Sequence, residues 1–230
     1  MNTGTALIVG ASRALGLGLA TEYARRGWDV IGTVRGDRHT GLHDLAASSG
    51  GRVVVESLDM TKPDQIAALR ERLAQRMPID LLFVNAAITR GNNPIGDVPA
   101  EMFTEVMVTN ALSPMRVIES LRSLVAPTGT IGVMSSRQGS VGLNTNGGQD
   151  VYRASKSALN QLMRCYAARY PDAAHTLLLI CPGHVRTELG GPAAPLTIDE
   201  SVPGVVDTIN RHSGEPGLRF LNHQDEPVPW

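Results

Sequence analysis

Near its amino end the chain reads Ala6-Leu7-Ile8-Val9-Gly10-Ala11-Ser12-Arg13-Ala14-Leu15-Gly16. Four apolar residues followed by small ones are typical of a buried strand that ends in a tight turn. Helical spacing then continues over residues 15–26. Such a turn lets a pyrophosphate approach the free N–H groups and the positive dipole end of a helix. The spacing, G-x-x-x-A-x-G, predicts a phosphate cradle, although a purely structural turn would look much the same.

The alternation of strand and helix patterns continues along the chain. Apolar runs suited to buried strands lie at 6–9, 28–34, 53–55, 79–84, 130–134, 176–180 and 218–221. Helical spacing occupies 15–26, 41–47, 62–76, 101–125, 151–169 and 199–211. Continuous apolar strands that alternate with helices indicate an α/β fold, a parallel sheet covered on both faces.

Composition narrows the function classes. At 230 residues with a net charge of −1 and no block of like charge, the chain suggests neither nucleic acid nor an anionic membrane as partner. No apolar run approaches the roughly 18 residues that span a bilayer, and the first five residues lack a basic signal region. Cys165 and Cys181 fit no metal spacing. We expect a soluble cytoplasmic protein without a metal.

A tyrosine and a lysine lie four residues apart in Tyr152-Arg153-Ala154-Ser155-Lys156, in a chain with two lysines and nineteen arginines. Residues i and i+4 share one face of a helix, so the phenol and the ammonium should project into the same space. A nearby cation favours the ionised phenol, so the pKa of Tyr152 should fall below about 10. The alternative is a solvated pair on a helix surface.

These motifs occur in a recognisable order. The glycine turn is followed by Asn85-Ala86-Ala87 after the fourth strand, Ser136 after the fifth and Tyr152/Lys156 on the next helix. Over essentially its whole length the chain resembles the classical short-chain dehydrogenase/reductase family, and within it the small carbonyl-reductase or C-factor-like branch. It departs from the family pattern at Ala14 and Ala87, where glycine is usual.

The resemblance implies a fold and an architecture. Residues 1–230 would form a single NADP(H)-binding, doubly wound Rossmann-type domain. Its mainly parallel seven-stranded sheet would have the order 3-2-1-4-5-6-7. Residues from about 188 to 197 would form a short substrate lid. The family usually forms dimers or tetramers through its long helices, so a homodimer or homotetramer is expected. The apolar residues Leu159, Leu162, Met163 and Tyr166 permit that pairing, but they suit a core-facing stripe equally well.

The resemblance also assigns catalytic roles. Tyr152 would be the general acid in carbonyl reduction and the base in alcohol oxidation. Lys156 would hold the nicotinamide ribose, and Ser136, with Ser135 as the alternative, would polarise the substrate oxygen. Asn110 would bind a water that relays protons.

The sequence gives a physical reason for the Asn110 assignment. Pro114 lies four residues later and has no N–H, so the Asn110 carbonyl should lack its helical partner. A proline kink of purely structural use is the alternative.

Cofactor choice depends on two arginines. Arg13 lies in the glycine turn and Arg35 follows the second strand, while no acid appears after that strand before Asp37. Since NAD-specific sites usually place an acid there, and guanidinium groups suit a 2′-phosphate, we predict NADP(H) rather than NAD(H). The alternative is two solvated surface arginines.

The remaining cofactor contacts come from the resemblance. Asp59 would accept from the adenine amino group, although a capping or turn aspartate fits its local sequence as well. His184 is expected to line the pocket or to be solvated. The predicted cofactor-binding residues are Gly10, Ser12, Arg13, Leu15, Gly16, Arg35, Asp59, Met60, Asn85, Ala86, Ala87, Tyr152, Lys156, Pro182, Gly183, Val185 and Thr187.

The predicted function is therefore an NADPH-dependent oxidoreductase that interconverts a small carbonyl compound and an alcohol. The alternative is a non-catalytic NADP(H)-binding sensor or regulatory protein. An epimerase or dehydratase with the same Tyr-x-x-x-Lys motif would usually carry a further substrate domain, for which 230 residues leave no room.

Overall fold

A computed structural model describes residues 3–75 and 78–230. Its strands are β1 (Thr5–Val9), β2 (Asp29–Val34), β3 (Val53–Ser57), β4 (Ile79–Val84), β5 (Val125–Met134), β6 (Thr176–Cys181) and β7 (Gly217–Asn222). They form one sheet in the order β3-β2-β1-β4-β5-β6-β7, and every neighbouring pair is parallel. The predicted α/β fold and strand order are confirmed.

The helices are α1 (Ala14–Arg25), α2 (Gly41–Ser48), α3 (Pro63–Leu73), α4 (Ala100–Met107), α5 (Ser113–Leu121), α6 (Asp150–Arg169) and α7 (Ile198–Arg211). Two apolar cores separate the sheet from its helical layers, and the strands divide their side chains between them. Leu7 and Val9 belong to the core that α3, α5 and α6 share. Ala6 and Ile8 belong to the core that α1, α2 and α7 share. The predicted end of the third helix, Arg76, lies outside the described residues.

The single helix predicted over 101–125 is wrong. The structure has α4 and α5 joined by a π-helical segment, Val108–Leu112, and β5 begins already at Val125. Within this segment the N–H of Ser113 bonds to the carbonyl of Val108, five residues back. Pro114 has no N–H to offer to a carbonyl in the preceding turn, so the α-helical hydrogen-bond ladder is broken at this point. A wider π-helical turn accommodates the proline at the position of the expected kink.

The chain order reverses between β1 and β4, which are neighbours at the centre of the sheet. In an open parallel sheet such a reversal leaves a crevice at the carboxyl ends of the strands, because the connections on either side leave in opposite directions. The glycine turn after β1 and the Asn85 loop after β4 both start at this crevice.

The apolar stripe on α6 is mainly a core feature. Leu159, Met163 and Tyr166 are buried, and Leu162 is exposed. The homodimer or homotetramer therefore stays a prediction. No helix in the described part of the chain is both long enough and apolar enough to cross a membrane.

Candidate active site

A cleft of about 1310 Å³ opens at the carboxyl ends of the central strands. It is larger than the roughly 300–1,000 Å³ of most small-molecule pockets, so a dinucleotide and a small substrate can share it. The predicted site residues that line it are Gly10, Ser12, Arg13, Leu15, Arg35, Asp59, Met60, Asn85, Ala86, Ala87, Ser136, Tyr152, Lys156, Pro182, Gly183, Val185 and Thr187. Gly16 and Asn110 lie behind this lining.

The turn after β1 is built for close approach. Gly10 has φ +85°, and a Cβ there would lie 2.6 Å from the Cβ of Ala86. A Cβ at Gly16 would lie 2.0 Å from the Gly10 carbonyl oxygen, so Gly16 allows the first turn of α1 to pack on the strand end. The Asn85 amide nitrogen donates to that same oxygen at 3.0 Å, and the Gly10 N–H donates to Thr33 Oγ1 at 3.0 Å. These contacts hold the turn with an open backbone toward the cleft.

Ala14 occupies a strained position in this turn. Its φ is +49°, in the left-handed region where a Cβ crowds the carbonyl oxygen that follows it. Glycine adopts that conformation without the penalty. The departure from the family pattern therefore has a local conformational cost.

Lys156 is held in place at the base of the cleft. Its Nζ donates to the Met134 carbonyl oxygen at 2.8 Å and lies 5.7 Å from the centre of the Tyr152 ring. Burial lowers the pKa of Lys156 to about 8, although Cys181 acts in the opposite direction.

The expected fall in the pKa of Tyr152 is wrong for this structure. Burial raises that pKa, the neighbouring Cys181 adds to the rise, and the hydrogen bond with Ser136 only partly offsets it. The Lys156 ammonium points to a backbone carbonyl, and desolvation weakens its own charged form. Tyr152 is consequently a neutral phenol, the form that donates a proton.

The two adjacent serines have different surroundings. Ser135 is 2% exposed, and its Oγ donates to Asn160 Oδ1 at 2.6 Å. Ser136 is half-buried in the cleft, where its Oγ accepts from the Gln138 N–H at 3.1 Å and interacts with the Tyr152 phenol. This geometry favours Ser136 as the residue that can reach a substrate oxygen.

Asn110 connects the π-helical segment to the loop after β4. Its amide oxygen accepts from the Ile88 N–H at 2.8 Å, and its amide nitrogen donates to the Ile88 carbonyl at 2.8 Å. The same nitrogen contacts Ser155 Oγ at 3.0 Å, and the residue is fully buried. The side chain therefore links α6 to the Asn85 loop. The position of Pro114 in the sequence did not predict this role. The proton-relay water stays a prediction.

The far end of the cleft carries the cationic groups. Arg35 and the neighbouring Arg38 are exposed and line it beside Arg13. Asp59 Oδ1 accepts from the N–H and hydroxyl of Thr61 at 2.9 and 2.7 Å, the contacts of a turn aspartate. Burial raises the pKa of Asp59, but the Thr61 hydrogen bonds and the charge of Arg35 outweigh it, so the pKa is lowered overall.

The loop after β6 forms another wall of the cleft. Gly183 has φ +86°, and a Cβ there would meet Leu196 and His223. Val185 pairs with Leu196, which folds the loop back on itself. His184 lines the cleft and contacts the Gly190 carbonyl at 2.8 Å through Nε2.

Arg38, Gln149 and Thr33 are among the cleft residues that sequence reasoning missed. Arg38 could have been found from the sequence, since it follows Arg35 within the same loop. Gln149 precedes α6 with φ +54° and contacts Thr89 at 3.4 Å. The pair of glycines before Gln149 is the sequence feature that could have indicated it. Thr33 looks like an ordinary strand residue, and only tertiary structure brings its hydroxyl to Gly10. In residues 3–75 and 78–230 no group of three metal-ligating side chains converges.

Comparisons with known proteins agree with this geometry. The family model described as Enoyl-(Acyl carrier protein) reductase matches residues 10–201. A solved short-chain dehydrogenase/reductase from Burkholderia multivorans with bound NADP is 52% identical, has a TM-score of 0.96, and is matched over 99% of both chains. A carbonyl reductase from Pseudomonas aeruginosa PAO1 in complex with NADP is 35% identical, with a TM-score of 0.92 over 100% of both chains.

Among curated relatives, the C-signal protein of Myxococcus xanthus is 33% identical over 155 residues, covering 66% of this chain and 93% of the relative. Sequence similarity and fold are thus shared with proteins of one family. The chain belongs to the classical short-chain dehydrogenase/reductase family of nicotinamide-dependent oxidoreductases, and to its C-factor-like branch.

Proposed function

We propose that the protein is an NADPH-dependent reductase of aldehydes or ketones, which interconverts a carbonyl and an alcohol with Tyr152 as general acid and base. The observation that carries the proposal is the convergence of the Tyr152 and Ser136 hydroxyls in one cleft, with Lys156 behind them. Two hydroxyls that meet at one point can hold a single oxygen atom of a substrate.

The turn after β1 fits a dinucleotide phosphate group. Gly10 and Gly16 leave space that a Cβ would fill, and the turn leads into the amino end of α1. The free N–H groups of a helix start bind anions. Asn85 keeps the turn in shape, so it contributes indirectly to cofactor binding.

We infer a preference for NADP(H) over NAD(H) from the charges at the adenosine end. Arg13, Arg35 and Arg38 line that end, and β2 finishes at Val34 without an acid that would accept from a ribose 2′-hydroxyl. Guanidinium groups bind phosphate through bidentate, charge-assisted hydrogen bonds. The NADP in the two solved relatives supports the same choice.

The chemistry needs few protein groups. Bound NADPH supplies the hydride. Ser136 donates a hydrogen bond to the substrate carbonyl oxygen, and Tyr152 gives its phenolic proton to the oxygen as negative charge develops there. Lys156 in its ammonium form would hold the nicotinamide ribose hydroxyls beside Tyr152 and would return a proton to the phenolate after the transfer. Burial raises the pKa of Tyr152, so the phenol keeps the proton that it gives to the carbonyl oxygen.

The domain and lid are part of the same proposal. Residues 1–230 act as one NADP(H)-binding domain, and 188–197 form a short lid. A short lid leaves the substrate end open, so several small aldehydes or ketones are expected to enter.

The test is NADPH consumption on addition of a panel of aldehydes and ketones, with an enoyl thioester included because of the family model's description. Fluorescence titrations with NADPH and NADH accompany it. Turnover of a carbonyl compound with tighter binding of NADPH is expected. NADPH binding with no turnover of any compound would favour a sensor, and reduction of the enoyl thioester alone would overturn the carbonyl assignment.

A further inference from the structure

An ion pair crosses the cleft between two loops that are far apart in sequence. Arg13, in the turn after β1, donates from Nη1 to Glu188 Oε2, in the loop after β6. Both residues line the cleft, and their side chains are 75% and 77% exposed. The guanidinium that we assign to the cofactor 2′-phosphate is therefore already engaged by a carboxylate of the protein itself.

Glu188 is held more firmly than Arg13. The backbone around Glu188 turns tightly, because the Gly190 N–H donates to Thr187 Oγ1 at 3.0 Å and the Gly191 N–H donates to the Thr187 carbonyl at 2.8 Å. A Cβ at Gly190 would lie 2.0 Å from the Val185 carbonyl oxygen, so the turn has little room to change. Arg13 has the longer and more flexible side chain, so it is the partner that can move to another anion.

We infer that Glu188 is a specificity-determining residue that competes with the 2′-phosphate of NADPH for Arg13. This inference rests on the proposed NADPH function. A phosphate offers the guanidinium the same paired oxygens with more negative charge, so it displaces the carboxylate. NADH lacks the 2′-phosphate, and we assign its pyrophosphate to the backbone N–H groups of the turn, so its binding should leave the pair intact.

The expected size of the effect follows from exposure. Surface ion pairs contribute little, so loss of the competitor should tighten NADPH binding by roughly three- to five-fold. NADH affinity should stay unchanged. Glu188 thus lowers the preference for NADPH below the value that the arginines alone would give.

The test is Glu188→Gln, with the Kd of NADPH and of NADH measured by nicotinamide fluorescence. Gln keeps the shape and removes the charge. We expect NADPH to bind three- to five-fold more tightly and NADH to bind as before. In an Arg13→Ala background the same substitution should have no effect on either cofactor, because the contested guanidinium is gone.

Glu226→Gln is the matched control, since Glu226 also lines the cleft but contacts Asn222 Nδ2 at 2.8 Å. Three results of Glu188→Gln would overturn the inference. The affinity could rise equally for NADPH and NADH, the rise could persist in the Arg13→Ala background, or NADPH could bind no more tightly than to the wild type. A wild-type protein that does not prefer NADPH would instead refute the proposed function itself, so the two failures are distinct.

Discussion

Lys156 Nζ donates a hydrogen bond to the carbonyl oxygen of Met134, 2.8 Å away at the carboxyl end of β5. The side chain is nearly inaccessible, with the whole residue 2% exposed. A helix and a strand are thus joined at the residue just before the serine pair. The contact fixes the ammonium in space, and the burial that comes with it sets its acidity.

Cofactor binding should weaken at alkaline pH. Burial lowers the pKa of Lys156 to about 8, so the ammonium is present below pH 8 and is lost above it. Since the ammonium is a much stronger donor to the ribose than the neutral amine, the Kd of NADPH and of NADH should rise together, by about tenfold between pH 8 and 9.5. Fluorescence titrations across that range measure it. In Lys156→Arg, which stays charged, the profile should be flat, and a flat wild-type profile would contradict the assignment.

Ser136→Ala and Ser135→Ala should fail in different ways. Ser136 faces the cleft, so its loss should lower kcat by about 10²–10³, while loss of its contact with the Gln138 N–H should cost at most about 1 kcal/mol in the free energy of unfolding. Ser135 bonds to Asn160 inside the protein, and its loss leaves that amide oxygen without its donor, at a cost of about 1–3 kcal/mol in the free energy of unfolding. Paired melting curves and rate assays distinguish them. Equal activity losses in the two variants would contradict the Ser136 assignment.

Ala14→Gly should not destabilise the protein. The left-handed φ of +49° costs alanine roughly 1–2 kcal/mol. Relief of that strain offsets the larger conformational entropy that glycine loses on folding. The change in the free energy of unfolding should lie between zero and about 1 kcal/mol of stabilisation. Ala24→Gly, in the same helix α1, is the control and should cost about 1 kcal/mol. Denaturant titrations of both variants decide it, and equal losses would argue against strain at Ala14.

Arg13→Ala and Arg35→Ala should each weaken NADPH binding by about 10- to 100-fold and leave NADH binding nearly unchanged. The reason is that we assign both guanidinium groups to the 2′-phosphate, which NADPH carries and NADH lacks. Competitive titration of each variant with the two cofactors measures the effect. Equal losses for NADPH and NADH would indicate a general role in shaping the cleft.

The sequence was sufficient for the sheet. Each strand contains a mainly apolar stretch, because both faces of a parallel sheet are covered, and the motif order then placed the glycine turn and Asn85 at one crevice. The start of β5 was missed since its first five residues include Pro127 and Thr128 and lie at a register irregularity. The π-helical segment was missed because Pro114 signals only that a helix is disturbed, not how the disturbance is relieved.

The electrostatics of the site could not be read from spacing. Tyr152 and Lys156 share a helix face as expected, yet the direction of the Tyr152 pKa depends on how deeply both groups are buried. Burial depends on the neighbours that tertiary structure supplies, here Met134 and Cys181. The Arg13–Glu188 pair joins residues 175 positions apart, and the local sequence around neither residue predicts the contact.

The most direct test of Tyr152 as the general acid is Tyr152→Phe, assayed for NADPH-dependent reduction of an accepted aldehyde or ketone and for NADPH affinity. We expect turnover to fall by about 10²–10⁴ while the Kd stays close to that of the wild type, because the phenol gives the proton but does not hold the cofactor phosphates. Tyr170→Phe, which removes a hydroxyl that bonds to Glu119 at 3.1 Å, should keep full turnover. Turnover that survives in Tyr152→Phe would contradict the account.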